Sequence, residues 1–576
     1  MRTYKEEYQR WLDSPALSEA EWQELKAIEN DEHEIESRFF APLAFGTAGL
    51  RGTMATGLHN MNVHIIRHAT QAFANVIKAE GEEAVKKGVA IAYDCRNNSE
   101  RFAREAACVM AANGIHVLLT DGMRPTPELS FAVIRYGTTA GINVTASHNP
   151  KEYNGYKVYW SDGAQLPPHH AEAIAAEMDR IDLFNDIKVA DYEESLKSGM
   201  IKLLGKETDE EFLACALSQA VNKEVVAKVA DDLKIVYTPF HGAGRELVPE
   251  ALKRLGIKHL FPVPEQMVPD GSFPTVESPN PENPEGFYLA IDLANEKHSD
   301  LIIGTDPDSD RIGVMVRDED GKFIPITGNQ MGALLLDYII TARKASGTMP
   351  EHPVALKSIV TSEMARTIAE ANGVRMEDTF TGFKFLAERI NQFIKEGTYE
   401  YIFAFEESYG YMVGDFVRDK DAVTAAVMVA EMTAYYFDKG MTLKQAMDGL
   451  YKKYGYFAEK TLNLVMPGLD GLKKMAALME DLRKNPPKVI GGQKVMRMRD
   501  YQDGSVYVTD LGKVETMEMK GSNVLYYELG DGTSFIVRPS GTEPKVKVYI
   551  LTKGETAEEC QQKVESFIAY GESLKR

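Results

Sequence analysis

The segment Gly304-Thr305-Asp306-Pro307-Asp308-Ser309-Asp310-Arg311 follows an apolar run, LIIG, and sets three carboxylates at alternate positions. Like charges held so close repel strongly unless a cation neutralises them. All-oxygen ligation suits a hard ion such as Mg²⁺, with room left for a phosphate oxygen. A calcium-binding EF-hand loop needs Gly at its sixth position and Glu at its twelfth. Here those are Arg311 and Arg317, and a strand rather than a helix comes before, so that reading fails. An acidic solvated turn is the bland reading of this segment taken alone.

Ser147 lies in Thr145-Ala146-Ser147-His148-Asn149-Pro150, directly after the apolar run AGINV. Open parallel sheets keep their ligand crevice at the carboxyl ends of strands, so Ser147 is placed to be a nucleophile or a phosphate carrier. Its spacing is not the GxSxG elbow of a hydrolase; a plain turn before Pro150 is the competing reading. Glu406-Glu407-Ser408-Tyr409-Gly410 follows another apolar run, YIFAF, and its adjacent Glu and Ser side chains suit vicinal sugar hydroxyls. Arg538-Pro539-Ser540-Gly541-Thr542-Glu543-Pro544 offers an Arg, hydroxyls and glycine-permitted backbone N–H groups, a set able to cradle a phosphate. For the last two segments a surface turn is the alternative.

The elements that must hold these loops alternate between two periods. HIIRHATQAFANVIKAEG reads as an amphipathic helix and GVAIAYDCR as a strand; Ser99 is expected to cap the helix ERFAREAACVMAANG. IHVLLTDG, PTPELSFAVIRYG and AGINVTASHNP continue as strand, helix and strand, which implies right-handed crossovers and a mostly parallel, covered sheet. The theme restarts with LKIVYTPFHGAG, ELVPEALKRLG and DLIIGTDPDSDR, then with HPVALKSIVTS, EMARTIAEANG and YIFAFEESYG. The tail differs: VLYYELGDGTSFIVRPSG carries an Asp-Gly hairpin signal, KVKVYILTKG is a further strand, and ETAEECQQKVESFIAYGESLKR is a closing helix. The expected architecture is three consecutive α/β domains with mixed or parallel sheets and a smaller C-terminal α+β domain around one cleft. The expected limits are 1–206, 207–322, 323–452 and 453–576.

The four loops, in this order, resemble those of the α-D-phosphohexomutase superfamily, with its phosphoserine, metal, sugar and phosphate loops drawn from four domains. FGTAGLRG at 45–52, KDAV at 420–423 and RPSGTEP look most like the phosphoglucomutase/phosphopentomutase branch. The resemblance implies that Ser147 carries a transferable phosphoryl group that also ligates the metal, and that Asp306, Asp308 and Asp310 bind one Mg²⁺. It places Thr47, Arg51, His148, Lys157 and Arg311 around the serine and substrate, and Thr381 and Lys384 on a substrate-facing turn. Glu406 and Ser408 would grip sugar hydroxyls, and Arg538, Ser540, Gly541 and Thr542 the non-reacting phosphate. Lys420 matches a lysine proposed as general acid/base, a role in which it serves as base only if its surroundings lower its pKa. Lys384 and Lys420 also admit a reading as solvated lysines. One departure is Phe405, where the family often has Gly; a bulky residue there is expected to narrow or reorient the sugar pocket.

The implied activity is interconversion of α-D-glucose 1-phosphate and glucose 6-phosphate, with glucose 1,6-bisphosphate as intermediate and activator. The rivals are a phosphopentomutase, a metal phosphatase, and a catalytically silent sugar-phosphate-binding scaffold.

Composition bounds the rest. The 576 residues, 44% hydrophobic and 26% charged, are ordinary globular composition and suggest about four domains. No stretch approaches the roughly 18 apolar residues that cross a bilayer, and the charged start MRTYKEEYQRWLDSP lacks a signal-peptide core. Four scattered cysteines give no disulfide framework, which suits a reducing cytoplasm. With 65 Lys plus Arg against 86 Asp plus Glu, the net charge of −21 argues against nucleic-acid or anionic-membrane partners. A dianionic substrate therefore has to be drawn in locally. Arg51, Lys157, Arg311, Lys384, Lys420 and Arg538, together with Mg²⁺, are expected to form a cationic cleft in a negative surface.

Overall fold

The computed structural model describes residues 2–466, 471–509, 512–540 and 545–575. The first sheet holds β1 (Leu50–Thr53), β2 (Val89–Tyr93), β3 (Val117–Thr120), β4 (Ala140–Val144), β5 (Tyr153–Trp160) and β6 (Ile201–Leu204), in the order β1-β5-β4-β2-β3-β6. β2, β3, β4 and β6 run parallel, while β5 turns back antiparallel onto β4 and β1. Every residue of VAIAY and AGINV is buried, as a parallel strand between two helical layers requires. Three short helices at 4–39 pack on this core through Trp11, Leu25 and Phe39.

One local expectation fails here. Ser99 is the first residue of its helix, not the cap; Asn98 stands at the cap without a side-chain bond to the helix backbone. The Ser99 hydroxyl donates instead to buried Asp94 Oδ1 at 2.7 Å.

The second sheet contains β7 (Lys234–Thr238), β8 (His259–Pro262), β9 (Leu301–Thr305), β10 (Ile312–Arg317) and β11 (Phe323–Ile326), ordered β11-β10-β9-β7-β8. Because β11 pairs antiparallel with β10, the division expected at 322 separates a strand from its own sheet. The third contains β12 (Pro353–Ser358), β13 (Arg375–Thr379), β14 (Glu400–Glu406) and β15 (Gly410–Met412), ordered β13-β12-β14-β15. In each of these three sheets an antiparallel strand returns directly after the loop that carries the chemistry: β5 after Ser147, β10 after the aspartates, β15 after Glu406. Both ends of each loop are thereby tied to the sheet.

The C-terminal domain is built on an antiparallel sheet of β16 (Tyr456–Val465), β17 (Val489–Ile490), β18 (Gln493–Asp500), β19 (Ser505–Val508), β20 (Lys513–Thr516), β21 (Leu525–Leu529), β22 (Ser534–Pro539) and β23 (Lys545–Gly554). The path is β16-β23-β22-β21-β18-β19-β20, with β17 on β18. β21 and β22 form the expected hairpin, and helices Gly471–Lys484 and Ala557–Ser573 complete the domain.

Candidate active site

Ser147 lies in the loop beyond β4, nearly buried, with φ +54°. A left-handed conformation costs a non-glycine residue about 1–2 kcal/mol, so the surroundings must enforce it. Its N–H donates to Thr145 Oγ1 at 2.8 Å, and Thr145 in turn donates to Asp94 Oδ2 at 2.6 Å. Its hydroxyl lies 2.9 Å from Asp306 Oδ2 and 3.2 Å from His148 Nδ1. Gly155 on β5 lets the strand pass against this loop, because a Cβ there would stand 2.4 Å from the Thr145 carbonyl oxygen. Burial, reinforced by Arg311 and Arg51, holds the His148 imidazole well below its ordinary pKa and therefore neutral.

The aspartates follow β9 and are completely or almost completely buried. Each offers a carboxylate oxygen within 4.8 Å of the others. Asp306 Oδ1 accepts the N–H groups of Asp310 and Arg311 at 3.1 and 3.0 Å. Asp308 Oδ2 accepts from Thr126 Oγ1 and from Lys157 Nζ, both at 2.6 Å. Asp310 Oδ2 lies 3.2 Å from both Lys157 Nζ and Lys420 Nζ. Burial opposes ionisation of Asp310, but Lys157 and Lys420 outweigh it and push its pKa down. Asp306 goes the other way: burial, then Asp308 and Asp310, push it well up. The protein's own cations thus do not suffice to keep all three carboxylates ionised together. Asp308 Oδ1 and Asp310 Oδ1 are buried with no hydrogen-bond partner among the described residues. Orphaned hard oxygens beside a serine hydroxyl fit a small hard cation such as Mg²⁺.

Lys420 precedes Asp421, whose carboxylate caps helix Ala422–Asp438 by accepting the N–H groups of Val423 and Thr424. The Lys420 ammonium reaches Asp310 and Asp419, both at 3.2 Å, over the Phe383 ring. Burial would lower its pKa, yet Asp310 and Asp419 prevail and raise it. With no ion on Asp310, Lys420 is a cation held between Asp310 and Asp419. Lys157 is likewise turned onto Asp308 and Asp310, and Arg311 Nη1 onto Glu282 Oε1 at 2.8 Å. The expected cationic cleft is therefore largely self-neutralised. Arg51 and Lys384 are different, making no ion pair among the described residues: Arg51 donates to Asn149 Oδ1 at 3.1 Å and Lys384 to Thr47 Oγ1 at 2.8 Å.

Glu406 ends β14, and its Oε1 accepts the Gly382 N–H at 2.6 Å. Burial, helped by neighbouring Glu407, pushes its pKa up to about 7. Ser408 is half-buried beside it, and Thr381 Oγ1 is shielded without a hydrogen-bond partner among the described residues. Phe405 does not narrow the pocket. Strand alternation puts its ring in the core, stacked on Phe403 and Tyr411 at 5.3 and 6.2 Å and filling the space above Gly332.

Arg538 is the last residue but one of β22, paired in register with Lys547 on β23, and the Ser540 N–H donates to the Lys545 carbonyl oxygen. Gly541 and Thr542 lie outside the described residues. Burial lowers the Lys547 pKa and raises that of Tyr549, with Glu407 of the loop after β14 as the leading charge from another domain in each case.

Backbone contacts lock the second loop to the third, with Ile312 N–H on the Tyr409 carbonyl at 3.1 Å and Ala422 N–H on that of Ser309 at 3.2 Å. Sequence reasoning missed Asp94, Arg96, Thr126 and Glu282. Asp94 and Arg96 had a usable signal, a charged pair just past an apolar strand; Thr126 and Glu282 had none.

Comparison with known proteins gives the same order of domains. Models of the phosphoglucomutase/phosphomannomutase α/β/α domains I, II and III match residues 42–184, 210–321 and 327–454, and that of the C-terminal domain matches 465–566. The chain belongs to the phosphoglucomutase/phosphomannomutase family. It is accordingly an isomerase of the intramolecular phosphotransferase kind. It is 37% identical to phosphoglucomutases of Staphylococcus aureus strains MRSA252 and N315 over 549 residues, 94% of this chain and 96% of theirs. Two crystal structures share the fold. A putative phosphomannomutase from Thermus thermophilus has TM-score 0.67 at 20% identity, covering 93% of this chain and 99% of that one. The Paramecium phosphoglucomutase parafusin, in an open form, has TM-score 0.67 at 18% identity, covering 93% and 95%. No helix among the described residues is long and apolar enough to cross a membrane.

Proposed function

We propose that this family member interconverts α-D-glucose 1-phosphate and glucose 6-phosphate through a phosphoserine at Ser147 and glucose 1,6-bisphosphate. The observation that carries the reading is the Ser147 hydroxyl 2.9 Å from Asp306 within a buried carboxylate triad. The extended similarity to staphylococcal phosphoglucomutases supports glucose over ribose. Asp306, Asp308, Asp310 and the Ser147 oxygen would hold Mg²⁺, which when bound neutralises charge on the phosphoryl oxygens.

The phosphoryl group leaves Ser147 Oγ as a new bond forms to the free sugar hydroxyl; that hydroxyl gives up its proton, the serine oxygen takes one up, and the products are the bisphosphate and a free Ser147 hydroxyl. The sugar then turns around, and Ser147 takes the other phosphoryl group. At that step neutral His148 Nδ1, 3.2 Å from the hydroxyl, is in place to accept the Ser147 proton, and the sugar oxygen that loses its phosphoryl group takes up a proton to become a hydroxyl. Lys157, Lys420 and Arg311 hold the loops in register and supply positive charge, which is most of what phosphoryl transfer asks of a protein. Glu406 and Ser408 bind hydroxyls, while Arg51, Thr47, Thr381 and Lys384 line the approach. Arg538, Ser540, Gly541 and Thr542 bind the phosphate that is not reacting. The four cysteines are free thiols, in keeping with action in a reducing cytoplasm.

A coupled assay of glucose 1-phosphate against ribose 1-phosphate, with bisphosphate activator, tests the substrate. Faster turnover of ribose 1-phosphate would replace the reading with a phosphopentomutase, and free phosphate without isomer formation with a phosphatase. Ser147→Ala is expected to stay folded by circular dichroism and lose about 10⁴-fold or more in kcat.

A further inference from the structure

The Ser147 loop has a second layer behind it, facing away from the aspartates. Arg96 follows β2, the strand beside β4, and its side chain is wholly buried. Arg96 Nη2 donates to the Ser147 and Asn149 carbonyl oxygens at 2.6 and 2.5 Å. Nη1 donates to those of Pro150 and Tyr153 at 2.9 and 3.1 Å. Both terminal nitrogens are thus committed to one short stretch of backbone. Nε lies 3.4 Å from Asp94 Oδ2, and Asp94 Oδ1 accepts the Arg96 N–H at 2.9 Å. Asp94 also anchors Thr145, which holds the Ser147 N–H. Ser147 is therefore held on both sides, by its N–H through Thr145 and by its carbonyl through Arg96, at the left-handed conformation that a serine does not adopt unaided. On its far side the guanidinium lies 5.1 Å from the Phe273 ring centroid, and a Cβ at Gly271 would stand 2.2 Å from the Asn97 nitrogen. Phe273 and Gly271 belong to the domain that carries the aspartates, so the same side chain links the serine loop to the body of the metal-loop domain.

We infer that Arg96 is the positioning residue of this active site, setting the direction in which Ser147 Oγ presents and receives the phosphoryl group without touching substrate. The inference rests on the mutase reading for its kinetic consequence. Four carbonyls in a fixed array match a planar guanidinium; an ammonium, with three rotatable donors on a flexible stem, cannot satisfy them together. A displacement of about 1 Å at a reacting atom costs on the order of 10²-fold in rate.

The test uses the full chain. Arg96→Lys is expected to lower kcat about 10²-fold while KM stays within about twofold, because the cleft-facing residues are unchanged. Hydrogen exchange read by mass spectrometry should quicken in peptides spanning residues 145–154 and not elsewhere. Thr145→Val, which releases Ser147 from the N–H side, should reproduce both effects more weakly, and it decides the matter if Arg96→Lys does not fold. Unchanged exchange in 145–154, kcat within about threefold of the parent, or kcat and KM shifting together with exchange rising through the whole first domain would each overturn the inference. A parent protein inert toward every sugar phosphate would instead defeat the mutase reading, and local exchange would still decide what Arg96 holds.

Discussion

The serine–metal floor of the cleft and the C-terminal domain are built on different principles. In the floor, charged and polar groups cross domain borders while buried. Ser147 meets Asp306, Thr126 and Lys157 meet Asp308, Lys420 meets Asp310, and Tyr159 meets Asp419 at 2.8 Å. The C-terminal domain meets the third through an apolar and aromatic cluster: Ile359 and Val360 against Tyr501, Tyr526, Ile536 and Tyr549, with Phe380 edge-on to Tyr501 at 5.7 Å. Beside that cluster lies a cavity of about 370 Å³, with Glu363, Arg366 and Asp378 on one wall and Arg499, Tyr526 and Glu528 on the other. Its ion pairs, Arg366–Asp378 and Arg499–Glu528, each stay within their own domain. Directional bonds fix a geometry, whereas apolar contact is non-directional and tolerates sliding. The comparison teaches that Ser147 and the aspartates are set on a rigid base, while the C-terminal domain is joined to it by contacts that tolerate sliding.

The largest test of that contrast removes a group with two duties in the floor. Asp308→Asn is expected to cut activity about 10²- to 10³-fold and to raise the Mg²⁺ concentration needed for half-maximal rate. Chelator should abolish activity in the parent protein, and an Asn variant with unaltered metal dependence would remove Asp308 from the ion site. On the other side, Arg538→Ala should reduce kcat/KM about 10- to 100-fold through lost charge-assisted hydrogen bonds. Thermal stability should be nearly unchanged, since Arg538 makes no hydrogen bond or ion pair to another domain among the described residues. A large loss of stability would show that the C-terminal domain is interlocked like the floor.

The smallest effect concerns pH. Glu406 is held at about 7 in the folded protein against an ordinary 4.5, so the folded state binds this proton more tightly than the unfolded chain. Its contribution is fully present below about 4.5 and is lost as pH rises through about 7, an effect on the order of 1–3 kcal/mol. Glu406→Gln should flatten that part of the stability profile, read as urea midpoints at about pH 5 and about pH 8. A slope that persists would assign it to another buried acid.

Much of this was legible in the residues themselves. The apolar strands, the loops after β4, β9 and β14, and the β21–β22 hairpin follow from periodicity and turn chemistry, which are local properties. The charge pattern of Asp306, Asp308 and Asp310 announced a cation site for the same reason: repulsion between near neighbours needs no knowledge of the fold. Local reasoning failed where a side chain had two plausible partners. Ser99 could cap its helix, but Asp94, brought beside it by the turn after β2, took its hydroxyl. Phe405 sat where a glycine was expected in the sugar loop, but the pleat of β14 sent its ring into the core.

The sequence by itself determined which groups could do chemistry and which strands would carry them, because residue type, spacing and periodicity act over a few residues. Tertiary structure alone decided what each charge faces. It turned Lys157 and Lys420 from substrate-facing cations into partners of the aspartates, paired Arg311 with Glu282, and put Arg96 behind the serine loop. Interaction free energy depends on distance and burial, and both arise from parts of the chain that lie from about thirty to about 150 residues apart.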